Sequence, residues 1–492
     1  MTLFFFALLW RPEVRRCSSS SSWDLVERFR MAIHNTGLSS PSPFILSFIN
    51  NSWSTRYEEA LPPHMGTMIW SLIVSLYGIG ALFGSLSINL VSGMLGRKMA
   101  VVCNACISIA AAGIMLASKA AGSYEMIIVA RILYGFSAGL GQGIHQIYLA
   151  EISPKNIRGT VCQSAATFLS LGKLLGQFFG LSEILGREDL WNVLLCIPAL
   201  FSVVEVLVLP LLPDSPRYLF IEKGDEKACK KALQTLWGDG EYREEVDEML
   251  NEQAALERAP PKSALQLLKD KNVRWQLVSI SVIICCNGLS GISAITIFSY
   301  DVFLKSGIPS DKIRYFTLGQ GLFEMFTSIF CGLLIERTGR RVLLWGGYGV
   351  MSASMIMVTV MLYLQTFQSW ASYVTAGLII LIVIFSGGPV GVGMTLNSEL
   401  FVQSDRLAAF VITGSQRYLL FSTVGFAFPF LIKALEFYCF LLFACVGMVG
   451  CLYTFFVLPE TKDKTLVEIS NEFKAITICG KSPEKKGVET KL

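Results

Sequence analysis

The feature that most narrows the folds open to this chain is a train of apolar runs. They fall at roughly 67–91, 99–118, 126–150, 161–183, 190–212, 276–300, 315–335, 342–364, 373–398, 407–432 and 437–458. A bilayer core about 30 Å thick takes roughly 20 residues of helix to cross, and each run has about that length. Lipid offers no partner for a bare peptide group, so a spanning segment must close its own hydrogen bonds. Apolar and polar residues do not alternate along the runs, which excludes a β-barrel. Composition agrees: 53% of residues are hydrophobic and 16% are charged, against about 25% charged in soluble proteins. So few charges cannot cover a water-facing surface, and so much apolar content excludes disorder. The expected fold class is an all-α membrane protein.

A twelfth span is expected near the start, where the pattern is irregular. Met1 to Trp10 is apolar but too short to cross, and Arg11, Arg15 and Arg16 follow it rather than lead it, unlike a signal peptide. The next stretch carries Asp24, Glu27, Arg28 and Arg30. Only about 31–49, containing His34, Pro41 and Pro43, reads as able to enter the membrane. Residues 1–30 are therefore an atypical N-terminal segment, and the first helix is atypical or truncated. The net charge of +4 argues nothing about nucleic acid, and none is expected as a partner. The 13 cysteines mostly sit inside apolar runs and read as small buried hydrophobes. Cys103 and Cys106 have C-x-x-C spacing but lack a second pair for a metal.

Charge sets the orientation. Arg97-Lys98, Lys155, Arg158, Arg337, Arg340-Arg341 and the Lys-rich tail fall on one side if the chain crosses back and forth, and positive loops face the cytoplasm. Residues 50–65 then lie outside, with the N-glycosylation sequon Asn50-Asn51-Ser52. Residues 213–274 are rich in Lys, Asp and Glu and suggest amphipathic surface helices. The expected division is a helix bundle at 31–212 with spans one to six, this cytoplasmic linker, a second bundle at 275–458 with spans seven to twelve, and a tail at 459–492.

The two halves repeat. Gly96-Arg97-Lys98 recurs as Gly339-Arg340-Arg341. Glu151 and Arg158 are spaced like Glu399 and Arg406, and Pro213-Asp214-Ser215-Pro216-Arg217 corresponds to Pro459-Glu460-Thr461-Lys462. Internal repeats in a polytopic chain mark secondary transporters, whose substrate site lies between the halves. Positive-inside topology accounts for the basic residues but not for the repeated acid. Arg97, Glu151, Arg158, Glu336, Arg340, Glu399 and Arg406 are therefore candidates for a cytoplasmic gate, whose pairs form when the cavity opens outward and part when it opens inward.

These motifs resemble those of a known family. Pro213 to Leu219, Glu336 to Arg341 and Leu458 to Lys462 are similar to its signatures after spans six, eight and twelve. Asn35-Thr36-Gly37, Ala130-Arg131, Leu289-Ser290-Gly291-Ile292 and Ser398-Glu399-Leu400-Phe401 also match. The chain is identified as a member of the facilitative hexose transporters, the sugar porter family of the major facilitator superfamily, over about residues 35–471. The resemblance implies two pseudo-symmetric six-helix bundles. Within the family the chain looks like the class II, fructose-related branch: Met394 stands where glucose-selective members carry tryptophan, and Ala165-Ala166 replace the class I signature on span five.

By the same resemblance, the sugar contacts carry over as Asn287 with Gly288, Ser293, Glu324, Ser386, Met394 and the pair Arg417-Tyr418, with Gln177 a retained amide. A hexose needs donors and acceptors for its hydroxyls and an aromatic face for its C–H surface. The usual amides are largely replaced by charge: Lys173, Glu324 and Arg417 interrupt apolar spans, each at about 3 kcal/mol or more on insertion scales. An ion pair between Glu324 and Arg417 is expected. His145 reads as a packing or hydrogen-bonding residue, the glycines at 78, 80, 84, 135, 139, 141 and 143 as close helix contacts.

The leading expectation is a plasma-membrane, multi-pass uniporter for a hexose, fructose or glucose, working by alternating access. One alternative is an anionic solute such as urate, favoured by Arg417, and another is a non-transporting sensor or degenerate paralogue. No phosphate loop, metal cluster or nucleophile motif is present, so neither an enzyme nor a cofactor is expected. The expected partners are a small-molecule hexose and the lipid bilayer.

Overall fold

The computed structural model describes residues 27–473, except 153–167, 212, 238–241, 243–245, 248, 251–252, 255–262, 271–272, 366, 368–369, 402, 463, 465–467 and 470–471. All regular structure among the described residues is helical. The principal helices are α1 (27–36), α2 (Ser42–Tyr57), α3 (Pro63–Leu86), α4 (Arg97–Ala121) and α5 (Tyr124–Ile152). Next come α6 (Phe168–Phe179), α7 (Ile197–Val208), α8 (Arg274–Leu289), α9 (Ile292–Ile297) and α10 (Ile313–Thr338). The last are α11 (Arg340–Leu364), α12 (Ala371–Leu400), α13 (Gln403–Ala434) and α14 (Cys439–Phe456). Among the described residues, nine helical stretches are long and apolar enough to cross a membrane. α10 is also long enough at 26 residues, but Arg314, Glu324 and Glu336 interrupt its apolar character.

Helix boundaries follow local chemistry. Pro62-Pro63 opens α3, where proline's missing N–H would have no helical partner anyway. Gly96 (φ +78°) separates the short helix Ile88–Leu95 from α4, and Gly339 (φ +86°) separates α10 from α11. Both have ψ near 170°, a conformation essentially restricted to glycine, so one turn is built twice from the repeated Gly-Arg motif.

The first span is broken. α1 and α2 are separated by a turn at 37–41, ahead of Pro43. α1 already includes Glu27, Arg28 and Arg30, which the sequence reading left outside the membrane span. All three are buried. The apolar count missed this because it treats every charge as solvent-facing, whereas these charges face protein. The seventh span is broken in the same place in its half: α8 stops at Ser290-Gly291, and Gly291 takes φ +79° before α9. Interrupted helices at matching positions of two repeats are where secondary transporters build their binding sites. The turn in the first span meets the chain beyond α9, at the start of the helix Ser299–Lys305: Ser39 Oγ lies 2.6 Å from Ser299 Oγ and accepts a hydrogen bond from the Tyr300 N–H at 3.1 Å.

α3 and α5 lie backbone to backbone. A methyl group on Gly135 or Gly139 would collide with the carbonyl oxygens of Tyr77 or Ala81, and one on Gly80 or Gly84 with those of Ile132 or Phe136. Such small-residue seams let helices approach in lipid, where no hydrophobic force drives them together. The linker carries the helix Glu226–Trp237 and a small core of Phe220, Cys229, Leu233 and Met249. Burial there pushes the Cys229 thiol up to about 11, so it stays protonated and inert.

Two outcomes follow. Gly139→Val should lower the melting midpoint of detergent-solubilised protein in fluorescence-detected gel filtration, while Gly113→Ala, with open space around it, should leave it unchanged; equal behaviour would remove the close-contact argument. Asn50 is exposed midway along α2, and with that side of the membrane outside, as the charge pattern implies, glycosidase digestion should increase gel mobility of the native chain and not of Asn50→Gln.

Candidate functional site

The candidate site is the seam between the first-half helices (27–208) and the second-half helices (274–456). Gln177 on α6 faces Gly321 on α10 so closely that a methyl group on Gly321 would clash with its amide oxygen. Gln177 is buried, and among the described residues neither polar atom of its amide has a partner. The amide of Gln320, also buried, is equally unpartnered. One turn inward along α6 and α10, Lys173 forms an ion pair with Glu324 across the seam. Lys173's backbone carbonyl also accepts from Thr36 Oγ1 of α1 at 3.1 Å.

This corrects the expected pairing of Glu324 with Arg417. Glu324 takes Lys173 because α6 packs beside α10, a neighbour relation that hydropathy does not encode. Arg417, on α13, is half-buried, and among the described residues it makes no hydrogen bond or ion pair. Its electrostatic neighbours are Tyr418 and Arg28. Tyr418 is buried and its hydroxyl donates to Gln142 Oε1 of α5, a second polar link across the seam.

The remaining expected contacts divide. Asn287 on α8 donates to the Pro389 carbonyl oxygen at 3.1 Å and accepts from the Tyr348 hydroxyl at 2.8 Å. It thus ties α8 to α11 and α12. Ser386 is buried and donates to the Val383 carbonyl oxygen of its own helix at 2.7 Å, which occupies its proton. Ser293 is half-buried in α9. Met394 lies in α12, but its side chain is outside the described residues.

Toward the outside, further contacts join the halves. Arg314 donates to Ser40 Oγ at 3.2 Å and to Ser182 Oγ. Tyr315 donates to Glu183 at 2.6 Å, which holds that exposed carboxyl below its ordinary value. Lys433 donates to Thr67.

At the ends of the bundles expected to face the cytoplasm, the halves show matching braces. Arg97 pairs with Glu151 at 3.2 Å and with Glu222 at 2.6 Å, and its guanidinium stacks 4.8 Å over Tyr218. Arg340 pairs with Glu399 at 2.8 Å. Asp214 accepts from the Lys98 N–H at 3.3 Å, while Glu460 accepts from those of Arg340 and Arg341 at 2.8 and 3.0 Å. These carboxylates thus sit at the N-termini of α4 and α11, where the helix dipole favours negative charge. The Arg97–Glu151 and Arg340–Glu399 pairs each join two helices of one half, and Arg97–Glu222 joins α4 to the linker. The expected parting of these pairs on inward opening is therefore not a direct result of separating the halves. Arg406 is half-buried; Arg158 and the side chain of Glu336 lie outside the described residues.

Sequence reasoning passed over Gln142 and Gln320, polar residues within apolar runs, and Glu205 inside the 190–212 run. A lone acid in such a run is itself a signal, and length counting hid it.

The Sugar (and other) transporter family matches residues 29–473. The chain is 41% identical over 437 residues to "Solute carrier family 2, facilitated glucose transporter member 9" of Homo sapiens, covering 89% of this chain and 81% of that one. It is 38% identical over 445 residues to member 11 of Homo sapiens, covering 90% of each. To member 5 of Mus musculus it is 37% identical over 446 residues, covering 90% of this chain and 89% of that one. Among solved structures it is similar to the major facilitator superfamily proton:xylose symporter XylE bound to 6-bromo-6-deoxy-D-glucose, with TM-score 0.72, 19% identity, and coverage of 93% and 100%. That likeness shows a major facilitator fold.

The ion pair across the seam can be tested for coupling. Lys173→Met and Glu324→Gln should each lower the melting midpoint, because each leaves a charge unpaired at membrane depth. The double variant should recover part of the loss, with an interaction energy of roughly 0.5–3 kcal/mol. Additive losses would show that the two charges do not depend on each other.

Proposed function

The chain belongs to the sugar transporter family, and on that premise we propose that it carries a hexose, fructose or glucose, down its gradient by alternating access between two helix bundles. It is a multi-pass membrane protein, and the plasma membrane is the proposed location. The observation that carries the reading is the buried amide of Gln177, held at the seam against Gly321 with both its donor and its acceptor unused. A buried polar group without a partner costs about 1–3 kcal/mol. A sugar hydroxyl donates and accepts at once, so it answers both needs of a carboxamide. Gln320 adds a second buried amide on α10, and Tyr418 a buried ring on the α13 side of the seam. Contacts at the outer ends of the halves, from Ser39 to Ser299 and from Arg314 to Ser40, close the seam on that side. Their breakage would open it to the outside. In this reading the Arg97–Glu151 and Arg340–Glu399 pairs brace the inner ends of each bundle as it rocks.

A second reading rests on Arg417. Its cation is half-buried without an acid beside it, which suits an anionic solute such as urate.

Uptake of labelled fructose, glucose and urate by a transport-null cell decides between the two. Saturable hexose uptake is expected, and Gln177→Ala should reduce its efficiency about tenfold, equivalent to about 1.4 kcal/mol of lost hydrogen bonding. Urate uptake abolished by Arg417→Gln, with no hexose uptake, would favour the second reading. Surface-expressed protein that moves none of the three would defeat both.

A further inference from the structure

A cluster of ionisable groups lies inside the first half, apart from the seam. Glu27 and Arg30 come from α1, His145 from α5 and Glu205 from α7, and none is more than 2% exposed. Glu27 and Arg30 form an ion pair, and Arg30 also donates to Ser202 Oγ at 2.9 Å. Asn104 of α4 completes that side: with its amide oriented to satisfy both ends, its oxygen accepts from Arg30 at 2.8 Å. Tyr77 of α3 and Tyr418 of α13 also face the group. Arg131 of α5 is engaged elsewhere, over the Tyr77 ring at 4.5 Å and donating to the carbonyl oxygens of Ile73 and His34. Gly141 makes the space, since a methyl group there would strike both Glu27 and Asn104.

The hydrogen bonds of His145 fix the number of protons. Its Nδ1 lies 2.9 Å from the Gly141 carbonyl oxygen, which only accepts, so Nδ1 bears a hydrogen. Its Nε2 lies 2.6 Å from Glu205 Oε1. A neutral ring protonated on Nδ1 would aim the Nε2 lone pair at a carboxylate oxygen, and two bare acceptors do not approach that closely. One more proton therefore lies between them. Charge balance agrees: Glu27 and Glu205 bring two negative charges, Arg30 one positive charge, and the proton supplies the other.

We propose that His145 and Glu205 form a buried proton-binding site that holds one proton at neutral pH. Releasing it would leave two carboxylates facing each other with one guanidinium between the pair of them. The resulting repulsion falls on Glu27 and so on α1, and the turn that follows α1 meets the other half through Ser39 and Ser299. Proton occupancy is thereby linked to the seam by one helix. The site does not rest on the hexose reading; only its expected effect on flux does.

The chain has three histidines, so imidazole-¹⁵N spectra of the full chain in lipid bilayers resolve the site. At about pH 8, where an ordinary histidine is neutral, a doubly protonated ring should persist. His145→Gln should remove that signal and Glu205→Gln should convert it to a neutral ring. If the proton rests on the acid instead, an infrared carboxylic-acid band lost in Glu205→Gln reports the same site. Neither signature in the well-folded native chain would overturn the proposal. So would one equivalent of Zn²⁺ bound by the native chain and not by Glu205→Gln. The ligand atoms of Glu27, His145 and Glu205 lie within 4.8 Å of one another, and that result would make them a metal site. In proteoliposomes, hexose flux should fall as pH rises past the midpoint of the spectra, and Glu205→Gln should be flat. Flux with equal pH dependence in both would overturn the link. Absence of any flux beside the expected spectra would count against the hexose reading and leave the proton site standing.

Discussion

A charge at membrane depth is costly unless it finds a partner inside the protein, and much of this architecture follows from where most of them do, Arg417 being an exception among the described residues. Lys173 and Glu324 meet across the seam. Glu27, Arg30, His145 and Glu205 gather within the first half. Arg131 turns to carbonyl oxygens and an aromatic ring. At several kcal/mol per unpaired ion, these meetings hold helix positions more tightly than apolar contact, which lipid tails can replace.

Two repeated devices set the frame around those charges. Each half uses a Gly-Arg turn to start its third membrane helix, an acid from its closing motif at that helix's N-terminus, and an Arg–Glu pair at its inner end. Each half also breaks its first span, and the turn of the first span meets the second half at Ser299, beyond α9. The inner ends are thus braced within each half, while the halves meet across the seam through the Lys173–Glu324 ion pair, through hydrogen bonds such as that of Tyr418 to Gln142, and through close packing of α13 on α3, where a methyl group on Gly78 would strike Ser422.

The site was legible in part. Gln177 and Tyr418 were expected there only through the family resemblance, and Glu324 also because a charge in an apolar span must face protein, water or another charge; Gln177 lies against Gly321 and Glu324 against Lys173. The partner of Glu324 was not legible, since Lys173 and Arg417 are equally good cations in one dimension. Asn287 and Ser386 read as sugar ligands, but their hydrogen bonds go to Pro389, Tyr348 and Val383. The buried cluster around His145 was missed because its members are spread over residues 27–205: Glu27 and Arg30 sit in a charged stretch read as outside the span, while His145 and Glu205 each stand inside an apolar run.

The membrane-spanning character, the repeated Gly-Arg turn and the helical class were already present in residue order. They depend on local quantities: twenty apolar residues match a bilayer, and a glycine permits a positive φ. Which charge meets which, which amide is left without a partner, and that α1 carries its acids and bases into the interior came only with packing. Those pairings depend on which helices become neighbours, and that is settled by contacts between residues more than a hundred positions apart, such as Lys173 with Glu324.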